Sequence, residues 1–297
     1  MSSDVATEHD ETATHRASQA SHSRPTTPGW RRVFETIVGR ELRTIVRTRT
    51  FIVLWLAFTA VVLGIVWIGD SAQAGYVPAL VDLLTPLELL VPVLAIAFGY
   101  RAILGDDRRG ELDVLETYPI SSPQHVLAVF TGRAIGLLVA IVLPLVLVFV
   151  LVAVTDSEML GIYATHSGAD SPILFARFIA LTALFALAVL AVALAISAVV
   201  SGTRSALALS VVALVGLVIG LDLAIVYGFS AGLLGDTTLV HSLAISPLSA
   251  YRGLVFESAV VVAGGTGPAV ASPIVSLASL FVWTIGSLSI AAWRLNR

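Results

Sequence analysis

Six apolar runs, each near the roughly 20 residues a helix needs to cross a hydrocarbon core, set the limits on what this chain can fold into. They are residues 51–69, 86–104, 134–155, 172–200, 205–229 and 272–293. Charged residues are only 12% of the 297, against about a quarter in a soluble domain, and mean hydropathy is +0.93. These values exclude an ordinary water-soluble enzyme. The expected fold is an all-α polytopic membrane protein with six transmembrane helices.

Arginine orients the spans. Arg31, Arg32, Arg40, Arg43, Arg47 and Arg49 precede the first; Arg101, Arg108, Arg109 and Arg133 fall between the second and third; Arg204 follows the fourth; Arg294 and Arg297 follow the sixth. Residues 70–85 and 156–171 contain none, and Arg252 is alone in the long connection after the fifth span. The positive-inside rule then puts both termini in the cytoplasm of a multi-pass cell-membrane protein.

Residues 1–29 are polar and poor in large apolar side chains, so they read as a disordered cytoplasmic tail. His9, His15 and His22 belong to it as solvated residues rather than a metal tract. Residues 30–297 form the membrane domain. Trp30, Val33, Phe34, Ile37, Val38, Leu42, Ile45 and Val46 recur at helical spacing among arginines, the pattern of an interfacial amphipathic helix. Pro247, Arg252 and Glu257 argue against a seventh span within 239–262; short external interfacial or re-entrant helices before the sixth span fit better.

Chemistry has little to work with. All seventeen basic residues are Arg, so the chain can form neither a P-loop nor a Schiff base. There is no Cys, no His-Glu-x-x-His and no Gly-x-Ser-x-Gly, and His125, His166 and His241 read as loop residues. No catalytic residue, metal site or nucleic-acid partner is expected. Glu88, Arg177 and Asp222 border spans and are the candidate intramembrane polar positions. All three lie toward the external side, where they read as interfacial anchors rather than a proton relay; a Glu88–Arg177 or Asp222–Arg177 pair stays open. Gly216 and Gly220 form a GxxxG on the fifth span, a sign of close helix packing.

The most informative stretch is cytoplasmic, residues 105–121. Asp106 and Asp107 suit a helix N-terminus, Leu112 and Leu115 share a face, and Pro119 ends the helix. Here the chain resembles the membrane subunits of type-2 ABC exporters. That family carries an acidic residue, a Gly-Thr-Leu-like triplet, a Leu pair, a Ser-x-Pro ending, and a Gly-Lys near the start of the next span. Asp106, Gly110-Glu111-Leu112, Val114-Leu115, Thr117-Tyr118-Pro119 and Gly132-Arg133 occupy those places, with Asp for Glu, Glu111 for Thr and Arg133 for Lys. Ser246-Pro247-Leu248-Ser249-Ala250-Tyr251-Arg252 is similar to the family's Asn-Pro-x-x-x-(aromatic)-Arg stretch, which makes Pro247, Tyr251 and Arg252 an external motif. Within the family the chain is particularly similar to permeases of the nitrous-oxide-reductase maturation branch.

The resemblance implies a permease subunit of an exporter, with ATP and Mg bound by a separate ABC ATPase subunit. A homodimer or a pair with a paralogous permease is implied, within the lipid bilayer. Asp106, Asp107, Arg108, Arg109, Gly110, Glu111, Leu112, Leu115, Glu116 and Pro119 would form a coupling helix seated on the ATPase. It leaves the substrate unspecified. The alternatives are a non-transporting membrane anchor or scaffold, and a polytopic membrane enzyme. Reporter fusions test the topology: fusions after Gly69 and Thr155 are expected outside and a C-terminal fusion inside. An external C-terminus would overturn the orientation.

Overall fold

A computed structural model of the chain describes residues 30–108, 121–155, 170–233, 242–264 and 271–296. Two compact units are defined, Met1–Val33 and Phe34–Arg297. Of the first, the described residues are the opening turn of a helix. Every contact discussed here lies within the second.

Among the described residues the regular structure is helical. The helices are α1 (Trp30–Arg47), α2 (Arg49–Ile68), α3 (Tyr76–Gly99), α4 (Ala102–Arg108), α5 (Ser122–Thr155), α6 (Pro172–Val199), α7 (Thr203–Ser230), α8 (Pro247–Val255) and α9 (Pro273–Leu295). The six expected spans are present as α2, α3 continued by α4, α5, α6, α7 and α9, each long and apolar enough to cross a membrane. In lipid the backbone must be satisfied within the segment, which a continuous helix does by itself. Hydroxyls follow the same logic: Thr59, Thr131, Thr182 and Thr284 each donate to the carbonyl four residues back, at 2.7–2.8 Å.

Two helices are longer than their apolar runs. The second span starts at Tyr76 rather than residue 86, and the third at Ser122 rather than 134. Pro86 and Pro92 lie inside α3, where Pro86 had marked a start. In α5 the helix also takes in Ser122-Pro123-Gln124-His125 and runs on through Thr131-Gly132-Arg133, because hydrogen bonding rather than apolarity sustains it. His125, expected in a loop, is consequently on α5 and buried.

The centre of the bundle is α3 against α6. In each, 61% of the apolar window is buried, against 17% in α2 and α7 and 22% in α9. Gly99 permits the approach: a Cβ there would stand 2.5 Å from the Cβ of Ala193, with Leu190 and Leu194 close behind. Tyr76, Phe149, Phe175 and Phe178 form a continuous aromatic row at one end, with ring centroids 5.2–6.2 Å apart. At that end Asp170, just before α6, accepts from the backbone N–H groups of Tyr76 (2.9 Å) and Val77 (2.7 Å) and so caps α3. Gly75 makes this possible. Its φ of 114° is disfavoured for other residues, and a Cβ would collide with the Asp170 carboxylate.

The GxxxG of the fifth span behaves differently from expectation. Gly216–Gly220 forms a π-helical turn inside α7, and a Cβ at Gly216 would meet nothing within 4 Å. The close packing read from that motif is absent among the described residues.

Gly99→Val is expected to lower stability by about 1–3 kcal/mol through overpacking, read as an earlier thermal unfolding midpoint in detergent. Gly64→Val on α2, where a Cβ meets nothing within 4 Å, is expected to leave the midpoint unchanged or raise it.

Candidate functional site

Between the fifth and sixth spans the chain folds back as α8, a π-helical turn (Phe256–Val260) and a short helix (Val261–Gly264). The seven-residue motif noted in the sequence sets the start of α8. Ser246 accepts at its hydroxyl from the Ser249 N–H (3.4 Å), Pro247 takes the first turn, where its missing N–H costs nothing, and the Trp283 indole of α9 donates to the Ile245 carbonyl (2.9 Å).

From that start, Ser249, Tyr251 and Arg252 of α8 point to different neighbours. Tyr251 faces the bundle, fully buried and stacked on Phe185 of α6 at 4.7 Å and 6°. Its hydroxyl is 2.9 Å from Thr182 Oγ1. Thr182 has one proton, which goes to the Phe178 carbonyl, so Tyr251 is the donor of the pair. Burial pushes the Tyr251 hydroxyl well above its ordinary range, which keeps that proton in place.

Arg252, about 100° further round the helix, forms a two-pronged ion pair with Glu88 of α3. Its Nε donates to Oε1 at 2.7 Å and its Nη2 to Oε2. Glu88 is only 6% exposed in an apolar helix, where an unpaired carboxylate would be costly. The Glu88 hydrogen bond raises the Arg252 guanidinium above its usual range against the opposing pull of burial, so it stays charged.

Ser249 donates to Asp222 of α7 at 2.9 Å, and Arg177 of α6 donates to the Ser258 carbonyl at 3.0 Å. The three polar span positions found in the sequence therefore converge on one segment. Neither the Glu88–Arg177 nor the Asp222–Arg177 pair forms; each residue bonds to the segment beginning at Pro247. Three separate spans thus grip a single short helix.

A second polar site lies at the α1 end. Ile37, Glu41 and Ile45, spaced by four, form the buried face of α1. The face expected to lie in headgroups is thus partly covered by protein. Glu41, 2% exposed, stands 2.6 Å from Arg133 Nε of α5 and 3.0 Å from Arg40 Nη2. The Arg133 N–H is not aimed along the contact, so this is an ion pair rather than a directed hydrogen bond. Gly132 lets the helices meet: a Cβ there would be 2.6 Å from the Cβ of Glu41. The Gly132-Arg133 pair of the sequence motif is thus a landing place for α1. Its partner Glu41 was overlooked in the sequence, although an acidic residue on an apolar stripe was a legible signal.

Ser197 was overlooked as well. Near the end of α6, its buried hydroxyl accepts from the N–H groups of Ile103 and Leu104, both at 3.0 Å, and so holds the first turn of α4. Asp106, Asp107 and Arg108 are the last three residues of α4, which continues the second span. Arg109, Gly110, Glu111, Leu112, Leu115, Glu116 and Pro119 lie outside the described residues.

A family model described as ABC-2 family transporter protein matches residues 35–297. The chain is 30% identical over 273 residues to a probable ABC transporter permease protein NosY of Pseudomonas aeruginosa, covering 86% of this chain and 95% of that one. A protein of the same description from Stutzerimonas stutzeri is 30% identical over 226 residues, 73% of this chain and 78% of its own length.

Arg252→Met would leave the buried Glu88 unpaired. A loss of about 3 kcal/mol is expected, the low end for a broken buried pair because Arg252 is itself half-exposed. Adding Glu88→Leu should recover most of it, and thermal unfolding of the single and double variants measures both.

Proposed function

The chain belongs to the ABC-2 family of transporter proteins and is an ABC transporter permease subunit, and from that premise we propose that it works in an exporter whose ATP is hydrolysed by a separate subunit. Residues 106–119 seat on that ATPase. Both termini face the cytoplasm, and α8 lies at the external end. ATP and Mg belong to the ATPase; this chain supplies the membrane path and the mechanical link. A second permease, identical or paralogous, completes the assembly.

One observation carries this reading. Helix α6 holds both ends of the proposed link. Ser197 grips the turn that leads into residues 106–119, while Thr182 and Arg177 on the same helix hold the segment that starts at α8. A displacement of the cytoplasmic helix can thus be passed along one rigid rod to the opposite end. Binding and hydrolysis on the ATPase would shift the population between two arrangements of the bundle.

The absence of native Cys makes single-cysteine cross-linking clean. A Cys at Glu111 is expected to cross-link to the co-expressed ATPase, whereas one at Asp156 is not. Leu115→Asp places a charge in a packed cleft at a cost of at least several kcal/mol, more than a coupling free energy of roughly 1–3 kcal/mol. Transport should then uncouple, or the ATPase dissociate, with the spans still inserted. Equal cross-linking at both positions, or normal transport by the Leu115→Asp variant, would remove the coupling role from residues 106–119.

A further inference from the structure

At the α1 end a cavity of about 540 Å³ opens among α1, α2, α3, α5 and α7, within the 300–1,000 Å³ of ordinary ligand sites. Its two ends differ in chemistry. The mouth is lined by Thr44, Thr48, Thr50, Arg101 and the Glu41–Arg133 pair; the depth is lined by Leu54, Val93, Leu207, Val211 and Leu214. Arg101 is exposed and makes no ion pair among the described residues. The described side chains lining the mouth set two guanidiniums, Arg101 and Arg133, against the Glu41 carboxylate.

A second observation lies inside. Ser210 of α7 lines the cavity and is 1% exposed, yet its hydroxyl has no hydrogen-bond partner among the described residues. The span threonines return theirs to the helix; Ser210 does not. An unsatisfied buried hydroxyl costs about 1–3 kcal/mol, so a ligand acceptor at that point would be rewarded. Ser210 is seven residues into α7, about 10 Å along its axis from Thr203, and stands among the aliphatic lining, between Leu207 and Val211.

We infer that this cavity binds an anionic glycerophospholipid, with its phosphate at Arg101 and the Thr50 hydroxyl, an ester carbonyl at Ser210, and one acyl chain along α2 and α7. A cation and a hydroxyl stand at the α1 end, and a lone donor lies within aliphatic carbon along α7. Phosphate, ester and acyl chain of such a lipid meet these three chemistries. A free phosphate would leave the floor and Ser210 unused, and a neutral zwitterionic lipid would gain less from the excess of guanidinium. The site requires neither an ATPase nor a direction of transport, so it can fail or hold independently of the proposed function.

The test uses the full chain in detergent with equal dioleoylphosphatidylglycerol and dioleoylphosphatidylcholine, with retained lipid counted by native mass spectrometry. Wild type is expected to keep one phosphatidylglycerol per chain in preference to phosphatidylcholine. Arg101→Gln should reduce that preference roughly fivefold, the effect of one basic residue beside anionic lipid. Arg204→Gln, at the start of α7 but outside the cavity, should leave it intact. Leu207→Trp fills the cavity from a half-exposed position without changing charge and should abolish retention of either lipid, which keeps the test decisive if the Arg101 variant fails to fold. Equal retention of the two lipids by wild type would overturn the inference. So would equal losses from Arg101→Gln and Arg204→Gln, or displacement of the bound lipid by millimolar sn-glycerol 3-phosphate. Retention unaffected by Leu207→Trp, with a Cys at Val211 cross-linking two chains, would mean that a second copy occupies the groove.

Discussion

The Glu88 carboxylate lies among aliphatic side chains, and the partner that neutralises it comes from a residue 164 positions further along the chain. Nothing else available in a hydrocarbon environment could stabilise that charge, because neither water nor lipid tails can. The position of α8 follows from this requirement. Once Arg252 is committed to Glu88, the helical rotation directs Tyr251 into α6 and Ser249 to Asp222. The polar contacts are few, but each comes from a different span, so the segment is located in all directions. Buried ion pairs contribute little net stability compared with a well-packed apolar replacement. Their effect here is geometric, since a misplaced α8 would leave Glu88, Asp222 and Thr182 with poorer partners at once.

The α1 end uses the same physics with a different construction. Glu41 is again a buried acid met by arginine, but a glycine has cleared the approach, so α1 can press its Ile37–Ile45 face onto α5. Ser197 adds a neutral clasp between α6 and α4. Helix α6 takes part at both ends, and between them it is the most continuously buried helix together with α3. An element packed against its neighbours along its length cannot bend locally without opening voids, and close-packed interiors resist voids. Movement at one end is therefore expressed as movement of the whole rod.

The six spans were legible because hydropathy over about 20 residues leaves little room for another reading, and Pro247 and Arg252 together argued against counting their stretch as a seventh. The span starts were less so. Asp82 and Pro86 interrupt the apolar run of α3 without ending its helix, and Thr131, Gly132 and Arg133 interrupt that of α5 in the same way. The polar residues Glu88, Arg177 and Asp222 were identifiable one by one, since a charge near a span is conspicuous. Their partners were not, because pairing depends on which helices adjoin. Tyr251 stood out through family resemblance alone, and Arg252 also as a lone charge in its connection; their distinct roles, one stacked on Phe185 and one bonded to Glu88, follow from helical rotation once α8 is placed. Glu41 was within reach of the sequence, as the one acid at the centre of an otherwise apolar stripe. Ser197 was not, since a serine among alanines near a helix end gives no sign of what approaches it.

The uneven burial of the spans has a physical basis specific to a bilayer. In water, a helix as sparsely packed as α2 or α7 would fray, because its backbone could exchange its bonds for hydration. In hydrocarbon that exchange is closed, so both remain helical without burying much side-chain surface. The tasks can then be divided. Helices α3 and α6 hold the bundle together, while α2 and α7 keep most of their surface outward, including the open glycine face at Gly216. These same two helices flank the cavity at the α1 end, so it borders on side chains that few intramolecular contacts restrain. A groove walled by the least committed helices can change its width at low cost, whereas the α3–α6 centre cannot.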